Sequence, residues 1–597
     1  MAETKERKNI SEKYKWKLED IFENDLEWEK AVSEVKTLAE RFAERKGKVC
    51  ENANELLSSL RDMDEIGEKL LSVAVYACMR RDEDNTVTKY RAMSDRIGAI
   101  ESEVSEMCAF LEPELVAAGK DKIAELMSEN KELAIYKQFF DNLFREAEHI
   151  LDERGEMLLA ASSPMGENAS DIFRAMNNAD IKFGEIKVGD SEEELTHSRY
   201  AVFMEHSDRT VREAAFDAMY KQYSDFKNTF AAMYAGNVKS DLFYAKARSF
   251  ISTIAMRLGD SNIAESVYDA LVEDVNGGLD ALAEYLALRK KVLGVGELHM
   301  YDLYVPLSNE DEEGKIPYEE ACELVLKAVA PLGEKYVSDM RKAFDERWVD
   351  VYENRGKTPG AYSWGDNTKH PFVLMNYQGT IEDVFTLAHE MGHAMHSFYT
   401  NKTQPPVYRD YKIFVAEVAS TVNENLLLEY LLRDAEGSRR AYLLGRKLEA
   451  IRTTFYRQTM FAEFERDAHR MYMEGGALTA ESLSELYGEI NGKYYGSVAV
   501  CDDSISYEWA RIPHFYTSFY VYQYATGFAA ATRIKDLVIN DEAAASKYME
   551  FLASGSSDYP LELLKKAGVD LCDGSATASV IADMREATKE LASVLDK

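Results

Sequence analysis

Residues 376–397 read NYQGTIEDVFTLAHEMGHAMHS, and within them His389-Glu390-Met391-Gly392-His393 forms an HExxH motif. Apolar Val384, Phe385, Leu387, Ala388 and Met391 give this stretch the character of a buried helix, and Asp383 supplies an acidic residue near its start. On a helix, positions four apart differ by about 40° and rise about 6 Å, so both imidazoles face one way and can share a metal ion. Glu390, about 100° round from His389, stands off from that pair and is placed to hold a water as general base. Histidine is scarce, ten in the chain, yet His389, His393 and His396 fall together here.

Two histidines leave a catalytic zinc one protein ligand short. His396 lies about 10.5 Å along the axis from His389, with no helix break after His393 to swing it back, and reads as a pocket-lining group or a support for a ligand. Further on, Pro405-Pro406 forces a loop. IFVAEVASTVNENLLLEYLL (413–432) then reads as a second helix. Packed antiparallel to the first, it brings its opening turns beside the motif, where Glu417 is the only carboxylate, flanked by Val415, Ala416, Val418 and Ala419. Glu417 is the expected third ligand. Glu424, seven residues on and on the same face, is the expected partner of a ligand.

The surrounding chain has 597 residues, 46% hydrophobic and 30% charged, enough for a sizeable core and too little biased for disorder. Apolar spacings of three and four, as in Trp28, Val32, Val35, Leu38 and Phe42 with Asn24 or Asp25 as cap, recur along it, and only 11 prolines interrupt. The fold class is mainly α. Two stretches break the rhythm: 181–205, read as a two-stranded element, and 358–379, where Pro and Gly bracket the apolar run Phe372 to Met375 and strands lead into the motif. A boundary near the first gives an expected N-terminal helical domain, 1–180, with a covering or scaffolding role, and a catalytic domain, 181–597. A net charge of −35 repels phosphate backbones and anionic lipid, which excludes nucleic acid and membrane as expected partners. The charged start MAETKERKNISEKYKWKLEDIF lacks a secretory core, and six scattered cysteines form no CxxC pair, so a cytoplasmic protein with reduced thiols is expected.

The run 376–397, followed by AEVAST at 416–421, resembles oligoendopeptidase F, a relative of thimet oligopeptidase. Glu417, 24 residues after His393, fits the glutamate ligand of that family. The resemblance covers about 181–580, more weakly upstream, and implies a large helical, clam-like zincin body enclosing a deep channel that admits peptides, with a smaller N-terminal helical domain. It also implies that a histidine and tyrosines of ARIPHFYTSFYVYQYATGF (510–528) stabilise an oxyanion. That role is carried to His514, Tyr516 and Tyr522, with aromatic packing as the alternative for the rings. Gly360, Ala361 and Tyr362 read either as part of a strand edge that pairs with an extended substrate or as an ordinary turn before a core strand.

Together these readings point to a zinc metalloendopeptidase with one Zn²⁺ per chain, acting on short peptides. The alternatives are another HExxH peptidase, of the dipeptidyl carboxypeptidase or aminopeptidase type, and a non-catalytic helical zinc protein.

Overall fold

The computed structural model describes residues 5–308 and 315–596. Helices dominate and the strands are short. The chain gathers into two compact units, each assembled from three stretches: 5–148, 315–430 and 534–568 in the first, and 149–308, 431–533 and 569–596 in the second. This differs from a single cut near 181. Helix Glu153–Ala175 lies before such a cut and its packing partner Lys227–Ala247 after it, both in the second unit. Apolar periodicity reports which face of a helix is buried and is silent about which core receives it.

In the first unit, helix Asp25–Ala43 starts where the Asn24 side chain accepts hydrogen bonds from the amides of Leu26 and Glu27. Its buried stripe is Trp28, Val32, Val35, Ala39 and Phe42, with Leu38 only partly covered. Helices Ala53–Glu83 and Thr88–Cys108 pack against it, and the Trp28 indole donates to the Val73 carbonyl at 2.9 Å. Burial of each large apolar side chain contributes about 1.5–3 kcal/mol.

The apolar run before the motif forms the middle strand, Pro371–Leu374, of a three-stranded sheet. Val349–Asp350 pairs with it in parallel on one side, and Tyr362–Gly365 antiparallel on the other, as the edge. All four residues of the middle strand are buried, and Phe372 and Leu374 join the core formed by the N-terminal helices. Asp350, at the end of the outer strand, is buried between Arg7 and Lys357, whose positive charges keep its carboxyl below the usual range although burial pushes the other way. After the strand the backbone turns at Gly379, whose φ of 91° suits glycine, and enters helix Ile381–Thr403.

In the second unit, Gly189-Asp190 joins the short strands Glu185–Val188 and Ser191–Glu194. The apolar residues beyond them are helical rather than extended: Thr196 caps His197–Met204, and Tyr200, Phe203 and Met204 turn inward at helical spacing. Helix Arg457–Met473 runs through the core of this unit. Among the described residues, no helix is long and apolar enough to cross a membrane.

Candidate metal centre

Helix Ile381–Thr403 is fixed at its start by a reciprocal cap: the Asp383 amide donates to Thr380 Oγ1 at 3.2 Å, and the Thr380 amide to Asp383 Oδ2 at 2.8 Å. Val384, Phe385, Leu387, Ala388, Met391, Ala394 and Met395 are buried, which sets the rotation of the helix. His389 and His393 then present their Nε2 atoms 3.2 Å apart.

The second helix, Ile413–Asp434, approaches closely at Gly392, where an added Cβ would lie 2.5 Å from Ser420 Cα and 2.7 Å from the Ala419 carbonyl oxygen. Asn423 ties the pair by donating through Nδ2 to the Ala388 carbonyl at 3.1 Å, and its own Oδ1 accepts from the Tyr336 hydroxyl at 3.1 Å. This contact delivers Glu417. Its Oε2 lies 3.4 Å from His389 Nε2 and 3.5 Å from His393 Nε2, and it also accepts a 3.2 Å hydrogen bond from Ser420 Oγ. Glu424 Oε1 meets the other nitrogen of His389, Nδ1, at 2.6 Å.

Burial alone would push the His389 imidazole down, but hydrogen bonds to Glu417 and Glu424 and the Glu390 charge outweigh it and push it up to about 10. Hydrogen bonds from His389 and His393 hold the Glu417 carboxyl well below the usual carboxylate range, against the effect of burial. Glu390 is buried, and that burial raises its pKa against the two nearby histidines, with Glu417 and Glu424 raising it further. Ligand atoms about 2.0 Å from a tetrahedral ion stand about 3.3 Å apart, close to the three spacings observed. The donor set therefore fits a small divalent metal.

His396 is not part of this group. It is fully buried, stacked on Tyr411 with ring centroids 3.8 Å apart and packed near Phe551, and that burial pushes its pKa down to about 3.

The sheet edge is also in the first unit. Val373 and Met375 send their amides to the carbonyls of Trp348 and Asp350, at 2.9 and 2.8 Å, away from the edge strand. Ser363, opposite Val373, therefore turns its own N–H and C=O outward. Gly360, with φ of 85°, and Ala361 form the approach to this strand, Tyr362 begins it, and Trp364 is partly exposed.

His514, Tyr516 and Tyr522 belong to the second unit. Tyr516 stacks on Phe173 at 4.4 Å, and Tyr522, 2% exposed, packs on Tyr268 at 4.9 Å; for these two rings the structure gives packing. The tyrosines brought to His514 are Tyr524, whose hydroxyl is 3.3 Å from His514 Nε2, and Tyr520, whose ring lies parallel at 6.1 Å. Burial and then Arg457 push the His514 pKa down.

With this geometry in place, the comparisons with known proteins decide the kinship. Peptidase family M3 matches residues 202–580, more than half of the chain, and oligopeptidase F matches 114–183. The chain belongs to peptidase family M3. As an M3 chain it is 42% identical over 595 residues to oligopeptidase PepF of Bacillus subtilis (strain 168), covering 99% of this chain and 89% of that one. It is likewise 42% identical over 572 residues to an oligoendopeptidase F homolog of Lactococcus lactis (strain IL1403), covering 95% of both. The solved oligoendopeptidase-F of Enterococcus faecium superposes with a TM-score of 0.72 at 35% identity, over 96% of this chain and 99% of that one. The M3 chain is thus a metallo-endopeptidase with a mainly helical fold, and His389, His393 and Glu417 are the described group able to hold its metal.

Proposed function

We propose that this M3 peptidase carries one Zn²⁺ per chain, held by His389, His393 and Glu417, and cuts internal bonds of short peptides. The observation that carries the reading is the triangle of two imidazole nitrogens and one carboxylate oxygen, with Glu390 next to His389 on the same helix. Imidazole and carboxylate in a three-ligand set suit a catalytic zinc, and Glu424 supplies the outer hydrogen bond that such a histidine needs. When bound, the ion supplies a Lewis acid that polarises the scissile carbonyl and acidifies an attacking water.

Glu390 takes the proton from that water and returns it to the departing amine; its burial moves its pKa upward, towards the range where it can do both. A neutral imidazole paired with a phenol is a suitable donor to a developing oxyanion, and we assign that role to His514, with Tyr524 in place of Tyr516 and Tyr522. The outward main chain of Ser363, approached through Gly360, Ala361 and Tyr362, is the edge to which an extended peptide adds as a strand, giving affinity that depends little on its side chains. We assign the segment up to residue 180 a scaffolding role, supported for its helices up to residue 148 by the core that they share with Phe372 and Leu374. The six scattered cysteines, with no CxxC pair among them, support a reducing, cytoplasmic location.

Mapping the products of a peptide blocked at both ends, before and after chelation and zinc return, tests this function. Internal cuts that vanish with chelator and return with zinc are expected. No cutting of the blocked peptide would favour a terminus-directed peptidase, and activity indifferent to chelator would contradict the metal's role.

A further inference from the structure

Helix Ala53–Glu83 is some 300 residues ahead of the metal motif in sequence, yet its last turn grips the approach to the sheet edge. The Asp82 carboxylate is buried and spans both ends of that approach: Oδ1 accepts from Thr358 Oγ1 at 2.9 Å, and Oδ2 from the Tyr362 hydroxyl at 2.9 Å. The Asp82 carbonyl accepts from the Thr358 amide, also at 2.9 Å. The Asn85 backbone N–H donates a hydrogen bond to the Gly356 carbonyl at 2.7 Å, and its side-chain Nδ2 donates to Thr358 Oγ1 at 2.9 Å. From the other side Asn376 donates to the carbonyls of Thr358 and Gly360, at 3.0 and 2.8 Å.

We propose that Asp82 is a positioning residue for peptide binding, holding Thr358 and Tyr362 so that the edge strand is ordered before an extended substrate main chain adds to it. The inference rests on the edge reading given above. Gly360, between the two anchors, is exposed, in a left-handed conformation, and has no neighbour against which a Cβ would rest, so packing does little to hold the segment there. Side-chain hydrogen bonds hold it instead. Ordering one backbone residue costs about 1–2 kcal/mol, and an edge freed from its anchors must meet that cost when peptide binds. The cost falls on substrate and transition state alike, so it appears in KM and leaves kcat in place.

The test is steady-state kinetics of Asp82→Ala, Asp82→Asn, Tyr362→Phe and Ser363→Pro on a blocked peptide long enough to lie along the edge, with hydrogen exchange of residues 358–365. Asp82→Ala is expected to raise KM about tenfold, equivalent to about 1.4 kcal/mol, with kcat within about twofold. Exchange is expected to speed up in 358–365 while the motif helix stays protected. Asp82→Asn, which keeps one acceptor oxygen, is expected to recover part of the loss. Tyr362→Phe removes a single anchor and keeps the inference testable if Asp82→Ala does not fold. Ser363→Pro deletes the outward N–H itself. A raised KM in Ser363→Pro with unchanged KM in Asp82→Ala and Tyr362→Phe would overturn the role of Asp82 alone. An unchanged KM in Ser363→Pro would overturn the edge reading and the inference with it. A fall in kcat at constant KM for Asp82→Ala would also contradict it.

Discussion

Glu424 Oε1 lies 2.6 Å from His389 Nδ1, which commits that nitrogen to the carboxylate and leaves Nε2 to face His393 and Glu417. Removing such an outer partner typically costs 10–100-fold in metal affinity. Glu424→Ala is therefore expected to weaken zinc binding by about 10–100-fold in competition with a chromophoric chelator. Unchanged affinity would show that the bond is incidental.

Gly392 lets the two helices approach until Ser420 Cα would stand 2.5 Å from an added Cβ. Gly392→Ala must push the Glu417 helix away, and overpacking of this kind costs about 1–3 kcal/mol. The expected outcome is a lower Tm together with weaker metal binding. A variant that loses Tm but keeps full affinity would separate the helix contact from the ligand geometry.

Glu390→Gln keeps the side-chain shape and removes the base. Turnover is expected to fall at least about a hundredfold, the scale of general acid–base contributions, with metal content unchanged. Near-normal turnover would contradict the role given to this residue.

The His389 imidazole, pushed up to about 10 by Glu417 and Glu424 against its burial, carries a proton at neutral pH in the metal-free protein. Metal must displace that proton, so affinity rises with pH below this value, by about tenfold per unit. Calorimetric or competition titrations between pH 6 and 8 check the slope, and a flat profile would contradict it.

Glu465 is fully buried on helix Arg457–Met473, with neither carboxylate oxygen fully hydrogen-bonded, and burial raises its pKa well above 4.5. The raised pKa means that the native state holds this proton more tightly than the unfolded chain does, so the group costs stability increasingly as pH rises above about 4.5. Glu465→Gln removes that cost. Its Tm relative to the parent is expected to rise between pH 5 and pH 8, and a difference independent of pH would rule out this origin.

The motif helix was legible in sequence because two imidazoles on one metal impose a four-residue spacing, and Glu417 because a loop and a reversed helix leave one carboxylate near them. Ser420 and Asn423 were not legible. They are ordinary helical residues until Gly392 and Ala388 face them. Tyr516 and Tyr522 were carried over from the family resemblance, which marks a region of rings and not which of them turns to His514. The chain between Tyr516 and the helix at Tyr522 is irregular, with Phe519 at φ of 60°, and Tyr520 and Tyr524 are the rings beside the histidine. The stretch 197–204 carried enough apolar residues for a strand, and the cap at Thr196 made it a helix. The interleaved units escaped prediction because no local pattern records which distant segments share a core.

Metal content per chain, measured by mass spectrometry on extensively dialysed wild type and Glu417→Ala side by side, tests the central claim most directly. One zinc per wild-type chain, with nearly all of it lost from the variant, is the expected result. A wild type without bound metal, or a Glu417→Ala protein that retains a full equivalent, would contradict the account.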